Sequence, residues 1–419
     1  VRDRVKFIHA ADLHLDAPFQ GLGAEDERVG QELAEATYVA WTRIVDEAIR
    51  REVDFVLVAG DLYNAADRSL RSQMRVREQA QRLDEAGIGL FVVHGNHDPL
   101  DGWSAGLELP ASAIVFQGGS TQRAVAVEDG DFVCAVYGRS FGTRAEGSDF
   151  SAGYRREPAD TVAIGLLHAN VGNNTDYDPY APCTLEALRA AGMDYWALGH
   201  IHKHEVLSTQ PYAVYAGSPQ GLNPRETGAH GCCAVSISRS GDVSFEFVEL
   251  APLAWASVEV DAEGVESLDR LEALVSGHLD DARDAACRPV LARVRVRGRA
   301  PVHADLARPA VLRDLADGLR ASQLAREPWV WLDRLVDSTA PTIDFEALAE
   351  SPEFSGEVAR IAAELAADPS ALESLVADLA EPVAGKLSGY SPGLDAEALL
   401  GRARDRALDL LLREGGGSR

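Results

Sequence analysis

The chain is short of cysteine, of basic residues and of long apolar runs, and each shortage excludes something. It has five cysteines in 419 residues, Cys134, Cys183, Cys232, Cys233 and Cys287, and no C-x-x-C pair. An odd number without paired spacing argues against a disulfide framework and against a zinc ribbon. The vicinal Cys232 and Cys233 are expected to alternate across a strand, one in the core and one partly exposed. No apolar stretch reaches the roughly 18 residues of a membrane span. The opening VRDRVKFIHAADLHLD has no long apolar segment and no small-residue cleavage site, so a secretory signal is not expected and we read the protein as cytoplasmic. Basic residues number 40 against 66 acids, a formal charge of −26. That balance argues against a generic nucleic-acid binder, because backbone binding depends on neutralising phosphates. Bound divalent cations would offset part of it locally, and acids enriched after Pro341 carry part of it away from a substrate groove.

Several apolar runs end in polar clusters. KFIHAAD, DFVLVAGD, LFVVHGNHD, DFVCAVYG, TVAIGLLHA and DYWALGH each read as a buried strand, almost continuously apolar as in a sheet covered on both faces. Residues 31–51 and 67–86 read as helices. In layered α/β folds functional groups gather at the carboxyl ends of strands, and Asp12, Asp61, His94 to Asp98, His168 and His200 all fall there. Short alternating strands follow from Val206 to Leu250. A first boundary is placed near Ala251. A small mixed domain is expected over 251–340, with helices around 268–279 and 311–319. Beyond Pro341 the chain reads as helices over 355–387, interrupted by Pro382, and over 395–412, ending in a frayed REGGGSR tail.

Five motifs carry the chemistry: Asp12-Leu13-His14, Gly60-Asp61, Gly95-Asn96-His97-Asp98, His168, and Gly199-His200-Ile201-His202. In the first and last, two-residue spacing along an extended segment would put both side chains on one side. Burying so many carboxylates and imidazoles without a compensating cation would be expensive. The donors are oxygen and nitrogen without thiolate, which suits manganese, iron, zinc, cobalt or nickel and leaves the choice open. His9 reads as structural, and His94 as a packed histidine. Asn170, Asn173 and Asn174 either line a cleft or satisfy a turn. His204, Asn223 and Arg225 sit at the edge of the site. Arg139 and Arg144 either meet phosphate or face solvent.

The order DLHLD, GDLY, GNHD, GLLHAN, GHIHK, followed by YAGSPQGLNPRE, resembles the calcineurin-like metallophosphoesterases. Among them it is most similar to the DNA repair exonucleases of the SbcD type, in their YhaO-like branch. The resemblance is specific over residues 5–230, looser over the second domain and weak beyond it. It implies a four-layer α/β/β/α sandwich over 1–250, a small α+β capping domain over 251–340, and a helical C-terminal segment over 341–419 that binds an SMC-like coiled-coil ATPase. It implies one metal held by Asp12, His14, Asp61 and His202, another by Asp61, Asn96, His168 and His200, with Asp61 bridging and Mn²⁺ the leading metal. Two such cations lower the pKa of water and neutralise phosphoryl oxygens. His97, a non-ligand in the family pattern, would stabilise the transition state or protonate the leaving group. Asp98 would hold the His97 imidazole in the right tautomer, or else cap its own turn. Asn64 departs from the pattern: archaeal and eukaryotic nucleases usually have histidine there, implicated in positioning DNA.

Three functions follow. The first is a metal-dependent DNA repair nuclease, in a family that also implies catalytic-domain dimers. Asn64, Asn170 and Arg139 are its candidate substrate contacts. The second is a phosphodiesterase or phosphatase acting on nucleotides, favoured by the acidic charge. The third is a non-catalytic partner of an SMC-like ATPase.

Overall fold

A computed structural model describes residues 2–19, 26–65, 68–172, 174–175, 177–384 and 395–415. Asn173, Asp67, Leu387 and the last four residues of the expected tail lie outside them. The chain forms two compact units. The first comprises Val1–Ala256 together with two later returns, Arg283–Leu291 and Glu327–Trp331.

In the first unit the chain runs β1 (Arg4–Ala10), α1 (Glu27–Arg51), β2 (Phe55–Ala59), α2 (Leu70–Glu85), β3 (Gly89–Val93), β4 (Ala113–Val115), β5 (Gln122–Asp129), β6 (Phe132–Gly138), β7 (Val162–His168), α3 (Leu185–Ala190), β8 (Tyr195–Gly199), β9 (Glu205–Thr209), β10 (Tyr212–Tyr215), β11 (Gly231–Ser238) and β12 (Val243–Glu249). Two six-stranded mixed sheets result, in the orders β12-β11-β1-β2-β3-β4 and β5-β6-β7-β8-β10-β9. Alternate residues of both sheets, Phe7, Leu57 and Phe91 from one and Val136, Ile164 and Ala197 from the other, share one core. The opposite faces pack against helices: Ile8, Val56 and Val92 with Trp41, Val45 and Val76 of α1 and α2, and Leu167 and Leu198 with Leu188 of α3. These are the four layers α/β/β/α. The inner strands are therefore buried on both faces over most of their length, which explains the nearly unbroken apolar runs.

The helices begin where their chemistry allows. Asp26 caps α1 by accepting from the Val29 amide, and Ser69 caps α2 by accepting from the Ser72 amide. The three parallel strands β1, β2 and β3 are in register, with Ala10 beside Val58 and Ala59 beside Val93. In the second sheet His168 of β7 lies beside Gly199 of β8. Strands aligned in this way bring their carboxyl ends to one rim, and the motifs follow those ends. The later returns belong to the same packing: Trp329 is wholly buried, and its indole donates to Glu32 of α1 at 3.0 Å.

Two expectations are corrected here. Cys232 and Cys233 are both buried, because β11 is an inner strand with Cys233 in the core between the sheets and Cys232 against the helices. Strands β4 and β5 are additional to those expected.

The second unit comprises Ser257–Ala282, Ala292–Arg326 and Leu332–Arg419. Its elements come from β13 (Ala254–Asp261), α4 (Leu268–Ala286), β14 (Val290–Arg299), α5 (His303–Leu306), α6 (Pro309–Leu324), β15 (Val330–Ala340), α7 (Phe345–Ala349), α8 (Phe354–Ala367), α9 (Pro369–Ala384) and α10 (Ala396–Gly415). The strands form a sheet in the order β13-β14-β15. The expected interruption at Pro382 is not where the break falls. α8 ends at Ala367 with Asp368 as its cap, and Pro369 opens α9, where a first-turn proline has no amide to lose. Among the described residues no helix is long and apolar enough to cross a membrane.

Glu47 of α1 offers a test of the fold's electrostatics. Hydrogen bonds from Arg50 and Arg51 hold its carboxyl down at about 2. A lowered folded-state pKa gives stability that is complete above the unfolded value near 4.5 and is lost as pH falls through the folded one. Glu47→Gln is expected to lower the melting temperature by roughly 2 °C at pH 7. That gap should hold above the unfolded value near 4.5 and narrow as pH falls from there toward the folded value of about 2, as read by calorimetry.

Candidate metal centre

The motif residues do not sit on extended backbone. β1 ends at Ala10, and then Asp12 and His14 adopt φ of 52° and 44°. Asp61 has φ 50° and His200 has φ 98°. The expectation of simple alternation is thus corrected: left-handed turns, not pleats, aim these side chains. Non-glycine residues in that region are uncommon, and they persist where the surroundings over-determine them. Backbone bonds do so here. The amides of Asp12 and His14 donate to the carbonyls of Gly60 and Asp61, at 3.0 and 2.9 Å. The first turn is stitched along the second.

Glycines make the closeness possible. At Gly60, with φ 92°, a Cβ would stand 2.2 Å from His168 Nδ1. At Gly199 it would stand 1.8 Å from the carbonyl oxygen of Ala59. Only a bare backbone lets the rims of the two sheets meet at this point.

The side chains converge. Asp12, His14 and His202 form one group of potential ligands, His14, Asp61 and His97 a second, and Asp12, Asp61 and His168 a third, with the donor atoms of each within 4.8 Å of one another. His14 Nε2 lies 3.1 Å from His202 Nε2 and 3.7 Å from Asp61 Oδ2. His168 Nε2 lies 3.0 Å from Asn96 Oδ1 and 3.5 Å from Asp61 Oδ2. The ring of His200 lies beside that of His168, with centroids 5.2 Å apart. The backbone aims the carboxylates: the His200 amide donates to both Asp12 oxygens, at 3.0 and 3.1 Å, and the His97 amide donates to Asp61 Oδ1 at 2.9 Å.

The donor set fits divalent cations. His168 Nδ1 is 2.9 Å from the Ala59 carbonyl, His200 Nε2 is 2.9 Å from the Asp178 carbonyl, and His202 Nδ1 is 2.9 Å from Glu226 Oε1. An imidazole that donates one N–H outward presents the other nitrogen as a lone pair, the arrangement of metal-ligating histidines. His168 Nε2 and Asn96 Oδ1 then meet as two acceptors. Nδ1 of His14 is buried without a hydrogen-bond partner among the described residues.

Electrostatics point the same way. Burial raises Asp12 and Asp61 above the ordinary carboxylate range, with their neighbouring carboxylates adding to the effect. Burial drives His14 well below the usual imidazole value, and His168 and His200 to about 4. His202 departs: desolvation pulls it down, but the hydrogen bond to Glu226 and the nearby acids raise it to about 9. Buried acids that resist ionisation beside imidazoles that resist protonation make a site that a cation would settle.

Other expected residues fall differently. The expectation that Asp98 orients His97 is corrected. Asp98 is fully buried, and its carboxylate meets His94 Nδ1 at 2.8 Å while accepting from the amides of Leu62, Tyr63 and Gly95. It caps the turn and spends all its capacity there. His97 Nδ1 instead lies 3.1 Å from the backbone carbonyl of Asn64. Asn170 is corrected as a substrate contact. Its buried amide donates to the carbonyls of Asn174 and Asp178 and accepts from the Asn174 amide, which ties down the loop whose Asp178 carbonyl meets His200. Arg139 lies over the ring of Phe150 at 3.8 Å, with its Nε buried, and Arg144 is exposed. His9 is packed between Tyr195 and the Leu198 carbonyl. His204 stacks on Phe247, and Asn223 holds Glu226. Sequence reasoning missed Glu226, which a position 24 residues beyond His202 does not advertise.

The outward bond from His202 to Glu226 is testable. Such partners tune metal affinity by about 10- to 100-fold. Glu226→Gln is expected to weaken metal retention by that factor while leaving the melting temperature of the metal-free protein within a few degrees. Metal content after dialysis, measured by mass spectrometry, reads the difference.

Comparison with known proteins agrees with the geometry. Residues 5–204 match the family model of the calcineurin-like phosphoesterases, and residues 255–340 match that of the middle domain of metallophosphoesterase YhaO. The metallophosphoesterase YhaO of Bacillus subtilis is 36% identical over 334 residues, which covers 80% of this chain and 81% of that protein. The DNA double-strand break repair protein Mre11 of Methanopyrus kandleri is 28% identical over 274 residues, with 59% of this chain and 57% of its own length covered. The protein of that name from Aeropyrum pernix is 26% identical over 315 residues, with 69% of each chain covered. Motif order, rim geometry and the extent of the Bacillus match together place the chain in the calcineurin-like metallophosphoesterases, as a metal-dependent hydrolase of the YhaO-like branch.

Proposed function

We propose that the chain is a DNA repair nuclease, an exonuclease that hydrolyses phosphodiesters at a dinuclear centre loaded with Mn²⁺. The observation that carries the reading is the overlap of the three potential ligand groups, in which Asp12, His14 and Asp61 are each shared by two. Asp12, His14, Asp61 and His202 would hold one metal, and Asp61, Asn96, His168 and His200 the other. Bound there, the two cations supply an acidified water and neutralise the phosphoryl oxygens. The chain's own residues do the rest. The Ala59 and Asp178 carbonyls and Glu226 fix the histidine rings. His97, whose Nδ1–H donates to the Asn64 carbonyl, would stabilise the transition state or, as its imidazolium, protonate the departing alkoxide from Nε2.

Relatives named DNA double-strand break repair proteins support DNA as the substrate. We assign residues 251–340 as a capping domain and 341–419 as the segment that engages an SMC-like ATPase, with the catalytic domains forming a homodimer. Exposed Phe354, Ile361 and Leu379 on α8 and α9 support a partner contact. Free thiols throughout fit the reducing cytoplasm. The formal charge of −26 favours a second reading, hydrolysis of a small nucleotide diester.

Labelled single- and double-stranded DNA and bis-p-nitrophenyl phosphate, each with Mn²⁺ or EDTA, separate the two. The expected result is Mn²⁺-dependent DNA degradation that Asp61→Ala abolishes together with metal binding. Cleavage of the small diester without DNA degradation would give the second reading the place of the first. His97→Gln is expected to lower kcat about 100-fold with metal content unchanged. Loss of metal in that variant would make His97 a ligand.

A further inference from the structure

Of the six tryptophans, Trp41, Trp196, Trp255, Trp329 and Trp331 are at most 6% exposed, whereas Trp103 is 52% exposed. It stands on the segment that follows the Gly95–Asp98 turn, six residues from His97. At about 3.6 Å per residue, its backbone is within roughly 22 Å of that histidine. The segment is fastened on both sides of the indole. The amides of Leu100 and Asp101 donate to the carbonyls of Phe141 and Gly142, at 3.0 and 3.2 Å. Beyond the indole, the Ala105 amide donates to Gln73 Oε1 at 2.8 Å. Arg68 donates to the carbonyls of Asp98 and Pro99, each at 2.8 Å. A large aromatic ring held out to solvent on an anchored loop gains nothing for folding.

The anchor Gln73 belongs to α2, with Leu70 three residues before it and Arg77 four after, so all three share one face of the helix. Beside it runs a groove of about 610 Å³ lined by Leu70, Met74, Arg71, Arg75 and Arg77, with Glu78 as its one acid. Arg71 pairs with Glu35 and Arg75 with Glu78, while Arg77 has no ion pair among the described residues. On a chain with a charge of −26, two of the three arginines are matched by Glu35 and Glu78, and Arg77 is the cation left over on this face. Backbone phosphates are attracted to such a cation, and bases stack on aromatic faces without regard to sequence.

We propose that Trp103 is a stacking platform for a base of single-stranded DNA, and that the α2 groove, through Arg77, carries the adjoining phosphates. The proposal rests on the nuclease reading above and names where the strand lies. It is a substrate-positioning role, since neither residue touches the reacting atoms.

The test uses the full chain with Mn²⁺ and a phosphorothioate oligo-dT that resists cleavage. Because the other tryptophans are buried, quenching of the long-wavelength tryptophan emission reports Trp103 alone. Expected is quenching on titration, its disappearance in Trp103→Phe, and roughly ten-fold weaker binding by anisotropy in Trp103→Ala. Arg77→Ala should make the slope of log K against log salt shallower by about 0.7. Near-ultraviolet dichroism confirms that each variant is folded. DNA bound equally well by all three variants, with the emission unmoved, would overturn the proposal and leave the nuclease reading standing. A wild-type chain that hydrolyses bis-p-nitrophenyl phosphate but binds no oligonucleotide would remove both. A change of oligomeric size in Leu70→Glu, with oligonucleotide binding unchanged, would assign the groove to a protein partner and also overturn it.

Discussion

The first unit depends on keeping two carboxylates and several imidazoles together at the rim of two sheets, out of water. Such groups repel one another or resist their charged forms when buried. What holds Asp12 and Asp61 in place is backbone: the amides of His200 and His97 donate to them, and each donor lies on a turn that starts at the end of a strand. The register of β1, β2 and β3, and of β7 with β8, is thus part of the chemistry. A slip of one residue would turn the core faces of these strands over and move the turns that follow them out of line. The glycines at positions 60 and 199 serve the same end by letting backbone pass where no side chain fits.

Much of this was legible in the sequence. The almost unbroken apolar runs gave the inner strands, because two covered faces leave no polar alternation to read. The polar clusters after those runs gave the rim. The turns were not legible, since Asp12, His14 and His200 carry no signature of a left-handed backbone. Their conformation is imposed by bonds to a neighbouring strand end. Asp98 was assigned to the wrong imidazole because two histidines stand within four residues before it. His94, four residues before, faces it inside the turn, while His97 points away toward Asn64. Asn170 reads as a cleft residue only until its amide is seen to be fully engaged by the loop it ties. Glu226 was hidden by distance along the chain.

The histidines illustrate a division of labour that composition alone conceals. His168 and His202 each turn one nitrogen to a fixed acceptor and the other to the ligand cluster, and His200 is fixed through Nε2, whereas both nitrogens of His9 are taken up by Tyr195 and Leu198 and the ring of His204 is stacked on Phe245 and Phe247. Position near a strand end does not separate the two kinds.

The returns of the chain into the first unit have a practical meaning for anyone who would isolate its catalytic half. A fragment stopped at Ala256 would keep all seven residues proposed as ligands. It would nevertheless lose Trp329, whose wholly buried indole is bonded to Glu32, and Arg288, whose guanidinium pairs with Glu249. The hole left by that indole would open on α1, the helix whose inner face carries Trp41 and Val45. The catalytic half is one body in space but three pieces in sequence, and severing it by length would leave it unfinished.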